Sequence, residues 1–115
     1  MKQVIIIVRT NMYFKTRDAL MNHNFQAISE KEVLGRGKKG SHYSTGTGEE
    51  VNTGYSFSAK KMIEIYCRDE DVDLLIDTVK EVNQTGTPGD GKIFVLPAEE
   101  SIRIRTGETG VNALM

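Results

Sequence analysis

The stretch Val4-Ile5-Ile6-Ile7-Val8 is five apolar, mostly β-branched residues in a row. A run of that kind reads as a central strand buried on both faces. Beyond it, Asn11 is placed to cap a helix beginning near Tyr13. Thr16, Ala19, Leu20 and His23 then follow at helical spacing on one face. Phe25 to Leu34 mixes apolar and polar residues and reads as a second, partly exposed strand. Met62 to Cys67 (MIEIYC) alternates as a third, with Ile63, Ile65 and Cys67 on one face. Asp69, Glu70 and Asp71 carry negative charge to the start of a second helix, where the helix dipole favours it. Val72, Leu75, Ile76 and Val79 form that helix's apolar stripe, and Gly86 stops it. Ile93 to Leu96 is a fourth strand, and Ile102 to Arg105 a short fifth. The order β-α-β, long loop, β-α-β predicts an α+β, ferredoxin-like sandwich with a short extra C-terminal strand.

The chain has 115 residues, the size of one domain. Fifteen Lys and Arg nearly balance sixteen Asp and Glu, for a net charge of −1. No global field attracts nucleic acid, so any anion must be held by a local cluster. The sole cysteine, Cys67, rules out an intrachain disulfide and fits a reducing compartment. The N-terminal apolar run is too short for a signal peptide, and no segment is long enough to span a bilayer as a helix. These features predict a cytoplasmic protein without membrane insertion.

Three groups are candidates for chemistry. The first is Thr85 to Pro97, TGTPGDGKIFVLP, in which Gly86, Gly89 and Gly91 free the backbone beside Asp90 and Lys92. Such a run can turn successive N–H groups toward an anion. It equally suits a plain helix-to-strand turn. It is not a phosphate-binding P-loop, because Ile93 stands where the Ser or Thr should be and a strand follows instead of a helix. The second group is Arg103 and Arg105, which on a strand project from one face and suit a polyphosphate. The same spacing suits an exposed face paired with Glu99, Glu100 or Glu108. The third is Lys38, Lys39, Lys60 and Lys61, two basic pairs bracketing a Gly-, Ser- and Thr-rich segment with neither helical nor strand period. His23 and His42 lack partners at metal-ligand spacing, and no nucleophile–base arrangement is evident.

Together, Val33 to Lys38 (VLGRGK), Lys60 before Ile63-Glu64-Ile65, Thr85-Gly86 with Gly89 to Val95 (GDGKIFV), and Ile102 to Gly107 (IRIRTG) resemble the PII signal-transduction family over nearly the whole chain. The resemblance implies a single domain over residues 1–115, with a T-loop over 36–59 between the second and third strands and a tail over 108–115. It implies a homotrimer, or a mixed oligomer with a second PII-like subunit, that binds ATP or ADP between subunits. Gly89, Asp90, Gly91 and Lys92 would surround the phosphates, with Arg103 and Arg105 reaching them from the end strand. Gly37 and Lys38 would contribute from the loop base, and Ser29 and Tyr66 would lie near the adenine.

The family also senses 2-oxoglutarate chelated to Mg²⁺ with ATP. Lys60 matches its carboxylate-binding lysine, and Lys39 is a further candidate. The glutamine that usually helps hold the metal is absent from GRGKKG, Gly35 to Gly40. Neither Tyr43 nor Tyr55 matches the loop tyrosine that some members have uridylylated. GRGK and the ending FVLPAEESIRIRTGETG are most similar to the variants encoded with nitrogenase in archaea and anaerobic bacteria, which implies a nitrogenase component as partner. An ammonium channel or an enzyme of glutamine metabolism is the alternative target. A ferredoxin-like phosphohydrolase is a more distant possibility, and Arg9-Thr10-Asn11 lacks the glycine that would shape its anion loop. An RNA-binding module would need more strand aromatics than Tyr66 and Phe94.

Overall fold

The computed structural model describes the backbone of residues 1–37, 42–44, 50–52 and 56–114, and the side chains of 1–35 and 58–114. In chain order the elements are β1 (Lys2–Arg9), α1 (Tyr13–Asn22), β2 (Ser29–Gly37), β3 (His42–Ser44), β4 (Glu50–Asn52), β5 (Ser56–Cys67), α2 (Val72–Asn83) and β6 (Lys92–Pro97). Single 3₁₀ turns at Thr10–Met12 and Asp69–Asp71 lead into the two helices, and Gly110–Leu114 forms another near the C-terminus. Four strands make one sheet in the order β2-β5-β1-β6, with every neighbour antiparallel. Both helices cover one face, which is the ferredoxin-like arrangement.

Strand alternation decides which residues meet the helices. Val4, Ile6 and Val8 of β1 are buried, as are Ile63, Ile65 and Cys67 of β5. Leu20 of α1, with Leu75 and Val79 of α2, closes the core from above. The opposite face carries Ile5 and Ile7, half-buried, beside the exposed Tyr66, Phe94 and Leu96. Thus β1 is buried on one face and half-covered on the other within a single chain. A buried polar link joins the helices: Asn83 Nδ2 donates to Thr16 Oγ1 at 3.0 Å and to Val79 O at 2.9 Å. Thr16 Oγ1 in turn donates to Met12 O at 2.7 Å.

Several boundaries differ from the sequence expectation. Asn11 does not cap α1; it sits inside the 3₁₀ turn, and the helix begins with no side-chain cap. His23 is exposed at the C-cap and does not join the buried stripe of Thr16 and Leu20. Phe25 belongs to the core and not to a strand. Asn24, at φ 69°, turns the chain so that Phe25 N–H reaches Leu20 O, the left-handed helix ending that Asn tolerates. The Gly-rich segment expected to lack regular structure holds the pairing of β3 with β4, and β2 and β5 extend to Gly37 and Ser56 on either side of it.

The short C-terminal strand is reduced to one bridge, Ile102 opposite Thr109. Gly107, at φ 75°, folds the chain back, and Arg103 N–H donates to Glu108 O at 2.8 Å. Ile102 and Ile104 do not enter this chain's core; they are 63% and 99% exposed. Among the described residues no helix is long and apolar enough to cross a membrane.

Candidate functional site

The segment from α2 to β6 forms a loop built around one carboxylate. Asp90 Oδ2 accepts from Thr85 N–H at 2.7 Å and Gly86 N–H at 2.9 Å. Its Oδ1 accepts from the Thr85 hydroxyl and from Arg9 Nη1, the latter at 3.0 Å. These bonds hold its carboxyl well below the usual carboxylate range, the Thr85 hydroxyl and N–H contributing most, then Arg9 and the Gly86 N–H. The N–H groups of Thr85 and Gly86 therefore face the chain's own Asp90. Gly89, Gly91 and Lys92 are exposed beside it.

Arg9 was not singled out as a site residue by sequence, yet the structure puts it at the centre of this loop. It ends β1, where it pairs in register with Lys60 of β5. Its second guanidinium nitrogen donates to Pro88 O at 3.1 Å and to Thr87 Oγ1 at 3.3 Å. Lys60 Nζ donates to Gly89 O at 3.0 Å. A Cβ built on Gly89 would lie 3.2 Å from Arg9 Nη2 and 3.6 Å from Lys60 Nζ, so both cations converge on one spot. Burial, then the neighbouring Arg9 charge, lowers the Lys60 pKa, with Asp90 opposing. A second anion there would relieve that strain. Gly35 lies against the Lys60 stem, its would-be Cβ 3.1 Å from Lys60 Cγ, which brings β2 over the same place.

The other predicted residues are elsewhere on the chain. Tyr66 is half-exposed, and its hydroxyl donates to Glu64 Oε1 at 2.8 Å, which raises its pKa. Ser29 pairs in register with Glu64, beside it. Lys60 and Tyr66 share the open face of β5, six positions and roughly 20 Å apart. Arg103 is in neither group: its guanidinium donates to Glu108 Oε1 at 3.1 Å and Asn112 O at 3.3 Å. Arg105 lies exposed in the following turn, so the two arginines do not share a strand face. Gly37 ends β2 opposite Ser56. Lys38, Lys39 and Tyr55, with the side chains of His42 and Tyr43, lie outside the described residues. Among the described residues no cluster of His, Cys, Asp or Glu is arranged to hold a metal.

Comparison with known proteins identifies the family. The family model "Nitrogen regulatory protein P-II" covers residues 1–108. A "Nitrogen fixation nifHD region GlnB-like protein 2" of Methanothermococcus thermolithotrophicus is 40% identical, aligned over 99% of this chain and 98% of its own. A "Nitrogen regulatory protein P-II" of Rhizobium meliloti is 36% identical over 99% of this chain and all of its own length. Among solved structures, B. subtilis GlnK superposes with a TM-score of 0.79 at 33% identity, covering 98% of this chain and 97% of that one. The chain belongs to the nitrogen regulatory protein P-II family, on the side of its nitrogenase-associated variants.

Proposed function

We propose that this protein is a non-enzymatic sensor that binds ATP or ADP in clefts between copies of itself and controls nitrogenase through residues 36–59. The observation that carries the reading is the separation of the half-sites. The loop end, with Arg9, Lys60 and Gly89 to Lys92, and the Tyr66–Ser29 end lie roughly 20 Å apart along one strand. One chain does not close both ends on one nucleotide, whereas two chains packed side by side would. The phosphates would lie on Gly89 to Lys92 of one copy. Ser29, Tyr66, Arg103 and Arg105 would come from the next, and Gly37 and Lys38 from the loop base. The half-covered sheet face, with Phe94 and Leu96 exposed, supports burial in a trimer, homomeric or mixed. The name of the methanogen relative supports nitrogenase as the target.

The convergence of Arg9 and Lys60 on one spot fits a further small carboxylate, for which 2-oxoglutarate is our reading, with Lys39 as an additional contact. Both groups are cations, so a Mg²⁺ ion would be held there through the oxygens of ATP and the acid. It would supply charge neutralisation between the two ligands.

Calorimetric titration of ATP and ADP, with and without Mg²⁺ and 2-oxoglutarate, tests the sensor; absence of ATP binding under all conditions sinks it. Native mass spectrometry reads the assembly, and a trimer is expected. Inhibition of dinitrogenase turnover by the purified protein tests the target. Recovery of an ammonium channel in its place would move the target and leave the nucleotide site standing.

A further inference from the structure

We infer that the C-terminal tail is a nucleotide-released cover over a cavity adjoining the Tyr66 end of the site, with Arg103 as its latch. The cavity, about 530 Å³, lies under the tail at the Tyr66 end of β5. Phe25, Ile65, Cys67 and Leu74 give it an apolar side, Arg68 and Asp71 a charged one, and Val111 and Leu114 of the tail's 3₁₀ turn border it. Val111 remains 42% exposed, so the cover rests on the body without being sunk into it.

The tail is held by its hairpin. Gly107 N–H donates to Arg103 O at 2.7 Å, and Gly110 N–H to Ser101 O at 2.9 Å. The side-chain link between hairpin and cover is Arg103, whose two terminal nitrogens divide between the Glu108 carboxylate and the Asn112 carbonyl. Both are oxygen acceptors, the chemistry of a phosphate, but together they carry a single negative charge. A polyphosphate offers several charged oxygens in bidentate geometry and competes strongly for the same guanidinium. If Arg103 turns to phosphate, Glu108 and Asn112 lose it together, and the turn bearing Val111 and Leu114 is untied. Site and cover are then coupled: whatever loosens the latch also strengthens nucleotide binding.

This inference rests on the nucleotide reading above, and the chain's sole cysteine separates the two. Cys67 is 5% exposed on the cavity wall and reports when the cover lifts. The rate of its modification by a neutral thiol reagent would be followed at fixed pH, with ATP binding measured calorimetrically on the same samples. Saturating ATP is expected to speed labelling about fivefold, the scale of one partly exposed ion pair, and AMP to leave it unchanged. Glu108→Ala, in an exposed turn with little risk to folding, is expected to speed labelling by a similar factor without ATP and to tighten ATP binding.

If ATP binds and neither ATP nor Glu108→Ala changes the labelling rate, the cover fails and the sensor stands. ATP accelerating labelling equally in both proteins, or slowing it, also overturns the latch. If calorimetry finds no ATP bound, the sensor reading and the cover fall together.

Discussion

Replacing Gly91 with alanine tests the joint between the loop and the sheet. A Cβ at this position would sit 2.0 Å from the Ile7 carbonyl oxygen and 3.1 Å from its carbon, both backbone atoms. The contact must open by about 1.4 Å to reach ordinary packing at 3.4 Å. Ile7 is in turn the register partner of Lys92, the last pair of the β1–β6 ladder. The residue also adopts φ +119°, outside the range L side chains favour. Gly86 is the internal control: its φ is +80°, but a Cβ there meets nothing within 4 Å. Gly86→Ala therefore carries only the backbone strain, roughly 1–2 kcal/mol. Gly91→Ala adds loss of a strand pairing, about 1 kcal/mol, and displacement of the chain beside it, for a total of roughly 3–4 kcal/mol. At about 4 °C per kcal/mol, Gly91→Ala should melt roughly 12–16 °C below the parent and Gly86→Ala roughly 4–8 °C below. Thermal denaturation followed by circular dichroism, at one matched protein concentration, is the assay. Melting points for the two variants within about 2 °C of each other would refute the close approach of Gly91 to β1.

Three further outcomes are expected. Arg9→Ala should speed amide hydrogen exchange at Thr85 and Gly86 about tenfold, because Asp90 loses its charged anchor; Arg9→Lys, which keeps charge but not the forked geometry, should restore protection only in part. Asp90 has a folded pKa depressed below its unfolded value near 4, so its contribution to stability is fully present above about pH 5 and lost as pH falls through the folded value. In urea denaturation the gap between parent and Asp90→Asn should accordingly stay flat from neutral pH down to about 5 and narrow progressively below that. Thr16→Val, which leaves the buried Asn83 amide one acceptor short, should cost about 1–2 kcal/mol by the same method, and pairing it with Asn83→Leu should recover most of the loss.

The layers of the fold were legible because burial imposes a period. Alternation in Met62 to Cys67 and the stripe of Val72, Leu75, Ile76 and Val79 identify core faces without tertiary information; Ile63, Ile65, Cys67, Leu75 and Val79 are buried, and Val72 and Ile76 half-buried. Ile102 to Arg105 shows the limit of that reasoning. Its alternation is that of a strand, but a period of two does not say whether a sheet edge is within reach, and Gly107 with Glu108 folds it back on itself. Arg9 is illegible for a different reason: its partners Thr87, Pro88 and Asp90 are 78 to 81 positions away, so nothing local marks it. Its position as the charged end of a buried strand, facing a glycine-rich loop, was the available sign. The orientation of Asp90 was not legible either, since an acid in such a loop serves equally well pointing out to a metal or in to its own N–H groups.

That inward orientation bears on the thermodynamics of any ligand that binds here. A loop with three glycines has a large conformational entropy to lose, and if binding had to order it, affinity would fall accordingly. With Asp90 bonded to Thr85, Gly86 and Arg9, the loop is ordered when the chain folds and stands preorganised. The glycines then serve close approach of backbone to ligand without leaving the site floppy. Calorimetry of ligand binding to this loop should accordingly show a small ordering penalty, and Asp90→Asn should enlarge it.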